Sequence, residues 1–240
     1  MSDIFLREQM LIGQDAMDKL RASHVAVLGL GGVGSWCAEA LARSGVGRLT
    51  VADEDFVSAS NINRQIIAAH STVSMAKASV MEGRIKDISP ETLVNAKIFR
   101  YEAATRDEFF SSDYDYIVDA IDLVTCKIDL ILSAMERRVP IISALGTGNK
   151  LHAELFQICD ISKTAGCPLA RVVRRELKRH GVLHHKVVYS PELALSPEQV
   201  EAPAPGRRST PGSVAWVPAS AGLLLAQEVV LHLAGLDGRV

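Results

Sequence analysis

The sequence has few cysteines, no secretory signal and no long apolar run. None of its four cysteines forms a C-x-x-C pair, which excludes the common structural zinc site because that site needs paired thiolates. The N-terminal residues contain no continuous apolar core of a signal peptide, so reduced thiols in the cytoplasm are the expectation. The longest apolar run near the end, residues 219–226, is too short to cross a bilayer. We therefore expect a cytoplasmic protein that makes no membrane contact.

The sequence also lacks an excess of charge. Its 26 lysines and arginines nearly balance 28 aspartates and glutamates, for a formal net charge of −2. Such a balance gives no general attraction to nucleic acid, so any RNA contact requires a local basic patch. With 48% hydrophobic residues, the chain is able to bury a full core.

Short apolar runs alternate with helical patterns through the first 150 residues. An N-terminal helical stretch is predicted over residues 3–20. Continuously apolar runs and 3.6-residue periodicity then predict strands and helices in turn. The predicted strands are 24–28, 48–52, 94–99, 116–120 and 140–144, and the predicted helices are 33–44, 77–88 and 123–138. This alternation predicts an α/β fold, a Rossmann-like doubly wound mixed sheet with helices on both faces.

The pattern changes after residue 146. Two strands, at 155–161 and 186–189, flank a basic helix at 168–179, and a last helix is predicted at 219–233. Residues 190–212 contain five of the nine prolines, which predicts a long surface loop near 190–213. No repeat or linker is visible, so a single domain is expected.

A glycine-rich loop, G-L-G-G-V-G, follows the first predicted strand and opens a helix. In that setting the G-x-G-x-x-G pattern permits a tight turn and lets the backbone approach a phosphate at the helix N-terminus. Asp53, at the end of the next strand, is placed to accept hydrogen bonds from ribose hydroxyls. We interpret the region as a nucleotide site, the alternative being a turn that only packs helix against strand. The four glycines of the pattern are Gly29, Gly31, Gly32 and Gly34.

A row of polar residues, D-E-D-F-V-S-A-S-N-I-N-R-Q, occupies residues 53–65. A dinucleotide oxidoreductase has no need of this row. An enzyme that transfers the adenylyl group of ATP must stabilise charge that develops on the α-phosphate and on pyrophosphate, a task for arginine and lysine. The row therefore favours ATP, while an NAD-binding Rossmann module remains the alternative.

These features together resemble the ubiquitin-activating-enzyme-like (ThiF/MoeB/HesA) adenylyltransferases. The resemblance covers the first half of the chain, and its most specific part is the S-N-x-N-R-Q string. It implies an enzyme that uses ATP and Mg²⁺ to activate a carboxylate. The matching segments are R-E-Q-M-L-I-G at 7–13, the loop at 29–34, residues 53–65, Lys77, and D-A-I-D at 119–122.

The resemblance implies a role for each matching residue. It assigns the ribose to Asp53 and magnesium to Asp122, and it makes Arg7 a finger that reaches the site of a partner subunit, which requires a homodimer. The alternatives are a solvated Arg7, a surface Lys77, and an Asp122 that merely caps the next helix. The implied catalytic residues are Arg7, Arg64, Lys77 and Asp122. The implied nucleotide-binding residues are the four glycines with Asp53, Asp55, Asn61, Arg64, Gln65 and Lys77.

The second half resembles the tRNA-modifying branch of this family, through residues 146–148, 160–164 and 211–222. That resemblance extends over almost the whole chain, with a nucleotide-binding half at 1–150 and a substrate-facing half at 151–240. It implies a substrate tRNA that carries threonylcarbamoyladenosine. Adenylation of its carboxylate would let a carbamoyl nitrogen close a ring, with net loss of water. A tethered nucleophile needs no thioester, and Cys167, which precedes a helix, is more readily interpreted as structural than as a nucleophile.

The basic helix is the candidate RNA contact, although a solvated charged face is the alternative. Arg207 and Arg208 are a second candidate. Trp36 and Trp216 are interpreted as packing residues. The sequence leaves open adenylation of a sulfur-carrier protein as another function, and a sulfur-transfer protein as a partner. The basic candidates are Lys163, Arg171, Arg174, Arg175, Lys178 and Arg179.

Overall fold

The computed structural model describes residues 3–198, 200 and 210–238. Within them one seven-stranded sheet has the order β3-β2-β1-β4-β5-β7-β6. All neighbouring strands are parallel except β6 and β7, so the predicted mixed sheet is confirmed. The strands are β1 (His24–Leu28), β2 (Arg48–Ala52), β3 (Leu93–Lys97), β4 (Tyr116–Asp119), β5 (Ile141–Ala144), β6 (Gln157–Asp160) and β7 (Lys186–Tyr189).

Helices cover both faces of this sheet, because the side chains of each inner strand alternate between two cores. Along β1, Val25 and Val27 enter one core, and Ala26 and Leu28 enter the other, as the two-residue period of a strand requires. Helices α3 and α8 contact each other on one face, and α6 contacts α7 on the other. The helices are α1 (Leu6–Ile12), α2 (Gln14–Ala22), α3 (Gly34–Arg43), α4 (Lys77–Ile88), α5 (Arg106–Phe109), α6 (Val124–Glu136), α7 (Pro168–Arg179) and α8 (Trp216–Ala234).

The predicted N-terminal helical stretch is two helices. Gly13 lies between α1 and α2 with φ 87° and ψ 165°, a conformation that glycine adopts without steric cost and that interrupts the helical path. The predicted helical turns over 3–20 are therefore present, with an interruption at Gly13 that was not predicted. On α1, Met10 and Leu11 remain exposed.

Helix α8 is longer than predicted, because it begins at Trp216. Among the described residues it is the one helix whose length and composition would suit a membrane span, with a mean hydropathy of 1.4. A core helix has the same properties, and α8 contacts α2, α3 and strands β4 to β7. Its buried residues include Val217, Ala221, Leu225 and Val229. We interpret α8 as a core helix.

The predicted loop has no helix or strand in its described parts, residues 190–198, 200 and 210–215. Its two ends are fixed by Asn149, whose backbone oxygen accepts from Leu195 and whose side-chain oxygen accepts from Gly212 at 2.6 Å. Arg207 and Arg208 lie outside the described residues.

Candidate active site

A cavity of about 560 Å³ lies at the carboxyl ends of β1, β2 and β4. Strand order reverses between β1 and β4, and ligands of open α/β sheets bind at such a switch point. The volume is within the range of about 300 to 1,000 Å³ that is usual for ligand pockets. Most of the predicted site residues line this cavity: Gly29, Gly31, Gly32, Asp53, Asp55, Asn61, Arg64, Gln65, Lys77 and Asp122.

The glycines of the loop serve two different purposes. Gly29 has φ +87°, and a Cβ there would lie 2.6 Å from the backbone oxygen of Ala120. A Cβ on Gly34 would lie 1.8 Å from the backbone oxygen of Gly29. These two glycines are required by the fold itself, and Gly34 lies in the first turn of α3 rather than in the cavity wall.

Gly31 is not required by packing. The nearest heavy atom to a Cβ built there is the side-chain nitrogen of Gln65, at 3.9 Å. The missing side chain instead leaves the backbone open toward the cavity, as the close approach of a phosphate demands. The same region contains an unsatisfied acceptor, because the buried Oε1 of Gln65 has no hydrogen-bond partner in the described part of the chain. Buried polar atoms without a partner are rare, so both features fit a bound polar ligand.

Asp53 is held directly beside this loop. Its carboxylate accepts hydrogen bonds from the backbone N–H of Leu30 and, at 2.8 Å, from that of Asp55. Burial raises the pKa of Asp53, and the nearby charge of Lys77 opposes that rise. The carboxylate is thus fixed in place at the end of β2, where a ribose would lie.

Lys77, the first residue of α4, is buried, so its interpretation as a surface lysine is wrong. Its Nζ donates to Asp55 at 2.7 Å and lies 3.7 Å from Asp53. The ammonium group therefore enters the cavity wall already paired with two carboxylates. An arriving phosphate would compete with Asp55, whose side chain is exposed.

Arg64 lies in the same wall, and its side chain bonds to neighbouring residues of the string. Its Nη1 donates to the backbone oxygen of Ser60 at 2.8 Å and to the side-chain oxygen of Asn63 at 2.9 Å. Burial lowers the pKa of its guanidinium, which nevertheless keeps its charge at neutral pH. The string also contacts the second half of the chain, because the Asn63 side chain donates to the backbone oxygen of Ser213 at 2.9 Å.

Asp122 lies in the loop between β4 and α6 and lines the cavity. The N-cap position of α6 belongs to Leu123, so Asp122 is not the residue at which that helix is capped. Within the described residues no three histidine, cysteine, aspartate or glutamate side chains cluster as a metal site. Magnesium is commonly held by one or two carboxylates together with substrate phosphates. Asp122 is a carboxylate of the cavity lining and fits that mode.

Several cavity residues escaped the sequence analysis. Phe99, Arg100 and Tyr101 follow β3, and Cys126 lies in the first turns of α6. These residues belong to none of the motifs at 29–34, 53–65 and 119–122. In a parallel sheet the carboxyl end of β3 must lie at the same edge as that of β2. This rule would have identified the three residues after β3.

Arg7 is exposed on α1 and does not line the cavity. Cys167 is also outside the lining: it is buried, and its Sγ accepts from the backbone N–H of Ala170 at the start of α7. The structural interpretation of Cys167 therefore agrees with its position. His184 is exposed, whereas His185 is buried.

The basic stripe on α7 is exposed with one exception. Arg174 is half-buried, and its guanidinium donates to the backbone and side-chain oxygens of Thr164. The prediction that Arg174 is fully exposed was therefore wrong, because its side chain joins α7 to the preceding turn, whereas its RNA contact stays a prediction. Trp216, interpreted as a packing residue, is 54% exposed, with its indole N–H bonded to the backbone oxygen of Leu151. The exposed basic residues are Lys163, Arg171, Arg175, Lys178 and Arg179.

Comparison with known proteins agrees with this geometry. The chain is 42% identical over 238 residues to the tRNA threonylcarbamoyladenosine dehydratase of Bacillus subtilis, covering 95% of this chain and 94% of the relative. The crystal structure of the Escherichia coli tRNA N6-threonylcarbamoyladenosine dehydratase in complex with AMP superposes with a TM-score of 0.88 at 32% identity, over 98% of this chain and 96% of that one. The same enzyme in complex with ATP superposes with a TM-score of 0.87, over 98% and 95%.

The family model of the ThiF family matches residues 5–239. The match spans the glycine loop, the polar string and both halves of the cavity wall. The chain therefore belongs to the ThiF family.

Proposed function

We propose that this protein is an ATP-dependent tRNA threonylcarbamoyladenosine dehydratase, which adenylates the carboxylate of the modified adenosine and lets the molecule cyclise. The observation that carries the proposal is the cavity at the strand-order switch, with an open backbone at Gly31 and two cations, Arg64 and Lys77, in its wall. The similarity to the dehydratases of Bacillus subtilis and Escherichia coli supports the choice of substrate.

The chemistry requires positive charge and little else from the protein. An oxygen of the substrate carboxylate bonds to the α-phosphorus of ATP, and the bond to the bridging oxygen breaks, so that pyrophosphate leaves with the electron pair. Lys77 and Arg64 neutralise the charge that grows on the phosphates. The carbamoyl nitrogen then attacks the acyl carbon, losing its proton, and AMP departs with one carboxylate oxygen. The net change is loss of water from the nucleoside.

We also propose that magnesium accompanies the nucleotide and that Asp122 is the protein's ligand for it. When bound, the ion would offset phosphate charge. The chain's own contribution is a carboxylate on the short loop between β4 and α6, which lines the cavity. Asp53 would hold the ribose, because its carboxylate is fixed by two backbone N–H groups.

A homodimer would complete the site. Arg7 lies outside the cavity of its own chain, next to apolar side chains on α1 that are 84% exposed at Met10 and 86% at Leu11. Exposed apolar clusters mark interaction surfaces. We propose that this surface binds a second copy of the chain and places Arg7 in the partner's cavity. The dimer would then contain two sites, each completed by Arg7 of the other chain.

The tRNA would lie along α7. Arg171 and Lys178 are exposed on the face opposite the buried Val173 and Leu177. Such a stripe is suited to phosphates of a stem, with binding that weakens as salt rises. The enzyme would act in the cytoplasm, where tRNA is its partner; a sulfur-transfer protein stays a prediction.

The test combines the purified protein with ATP, Mg²⁺ and either tRNA carrying threonylcarbamoyladenosine or the same tRNA without the modification. We expect AMP and pyrophosphate only with the modified tRNA, together with a nucleoside lighter by one water in mass spectrometry. AMP formation driven instead by a sulfur-carrier protein would replace the proposal with the carrier adenylyltransferase alternative. NADH binding without ATP binding would replace it with the dinucleotide module.

A further inference from the structure

Four polar side chains form a buried network directly beneath the cavity. Asp119, Lys127, Ser143 and His185 come from the end of β4, from α6, from β5 and from the residue before β7. The Lys127 Nζ donates to Asp119 Oδ2 at 2.7 Å, and the Ser143 hydroxyl donates to the same oxygen at 2.6 Å. The His185 Nε2 lies 2.8 Å from the Ser143 Oγ. The network therefore joins β4, α6 and β5 to the residue that precedes β7.

Proton positions in the network follow from these contacts. Burial and the charge of Lys127 lower the pKa of His185 to about 3, so its ring is neutral at physiological pH. Because the Ser143 hydroxyl proton points at Asp119, the Ser143 oxygen accepts from the Nε2–H of His185. Each member thus has a fixed donor or acceptor role, and the hydroxyl of Ser143 is the link between the histidine and the carboxylate.

The network extends into two walls of the cavity. The second oxygen of Asp119 accepts from the backbone N–H of Ile121 at 3.1 Å, inside the loop that carries Asp122. Lys127 also donates to the backbone oxygen of Ala144, the last residue of β5, at 3.1 Å. Ile121, Asp122 and Ala144 all line the cavity, whereas none of the four network residues does. The network can act on a reaction only by holding these walls in place.

We infer that Ser143, acting through Asp119, is a positioning residue that fixes the loop bearing Asp122 against the reacting groups. This role rests on the proposed function, because it concerns the same cavity. A buried ion pair is by itself weak evidence for stability, since apolar side chains can often replace one without loss. The network also forms directional hydrogen bonds to two cavity walls, which apolar side chains could not replace. A displacement of about 1 Å far from the chemistry can lower a rate about 100-fold.

The test uses two buried histidine–hydroxyl pairs of the same sheet. Ser143→Ala removes the hydroxyl beneath the cavity. Thr50→Val removes the hydroxyl that lies 2.9 Å from the Nε2 of His24, and neither Thr50 nor His24 lines the cavity. We expect Ser143→Ala to lower kcat for AMP formation on modified tRNA about tenfold or more, with the KM for ATP nearly unchanged. Thr50→Val should lose a similar amount of thermal stability while keeping its kcat.

Equal kcat in Ser143→Ala and Thr50→Val, on an active wild-type enzyme, would overturn the positioning role. If Ser143→Ala does not fold, His185→Leu and His185→Gln replace it, because glutamine keeps an N–H donor and leucine does not. We then expect the leucine variant to lose kcat and the glutamine variant to retain most of it, and equal losses would again overturn the role. Wild-type protein that forms no AMP on modified tRNA would refute the proposed function itself, a result distinct from either comparison.

Discussion

Substitution of Gly31 by alanine separates ligand binding from folding at this site. A Cβ at Gly31 would meet nothing closer than 3.9 Å, so the free protein should fold as before. With a nucleotide present, the new methyl group would occupy the space through which a phosphate approaches the backbone. Loss of one hydrogen bond to a charged group costs about 1.5 to 3 kcal/mol, and we therefore expect Mg-ATP affinity to fall about 10- to 150-fold.

Two other glycines supply matched controls. Gly83 lies within α4 with nothing inside 4 Å of an added Cβ, so Gly83→Ala should raise stability by about 0.5 to 1 kcal/mol and leave ATP affinity alone. Gly34→Ala should fail to fold stably, because its Cβ would lie 1.8 Å from a backbone oxygen.

Calorimetric titration with Mg-ATP and thermal melts measure both properties on each glycine variant. Unchanged affinity in Gly31→Ala would refute the placement of phosphates at this loop. A melt that collapses as for Gly34→Ala would show that Gly31 is needed for packing instead.

Four further predictions follow from the same geometry. Arg64→Ala should keep its melting temperature, since within the described residues the side chain bonds to Ser60 and Asn63 of its own string, yet lose at least about 100-fold in the rate of pyrophosphate release; a rate near wild type would contradict its role. Mixing Arg7→Ala with Arg64→Ala should restore about a quarter of wild-type activity if Arg7 acts across a twofold dimer, whereas no recovery would mean that it does not. Replacing both Arg171 and Lys178 by alanine should weaken tRNA binding and reduce the salt slope of log affinity by about 1.4 to 1.8, with an unaltered slope counting against α7. The pKa of His185 in the folded protein is lowered to about 3, whereas in the unfolded chain this residue binds a proton below about pH 6.5. The folded state should therefore lose stability between about pH 6.5 and 3, and urea unfolding across that range should show a smaller loss in His185→Gln.

The parts of the fold that were predicted correctly depend on local patterns. Residues 24–28 are continuously apolar and end in glycines, which indicates a buried parallel strand, and β1 occupies those residues. Helix α4 begins at Lys77 as predicted. The glycine loop could be located from the sequence, because the G-x-G-x-x-G pattern corresponds to a specific backbone turn between a strand and a helix.

The parts that were missed depend on contacts between distant segments. The partners of Arg174 are the backbone and side-chain oxygens of Thr164, ten residues earlier, and nothing in a helical pattern shows that bond. Ser143 bonds to Asp119 and to His185, which lie far from it in the sequence, and no motif indicates these bonds. Phe99 enters the cavity only because β3 lies beside β2 in the sheet.

The central claim is that AMP is attached to the substrate carboxylate before the ring closes. Modified tRNA labelled with a heavy oxygen isotope in the threonyl carboxylate tests it directly, with the released AMP analysed by mass spectrometry after one turnover. We predict that AMP acquires one labelled oxygen, because the leaving group departs with an oxygen of the carboxylate. Unlabelled AMP, or release of ADP in its place, would contradict the account.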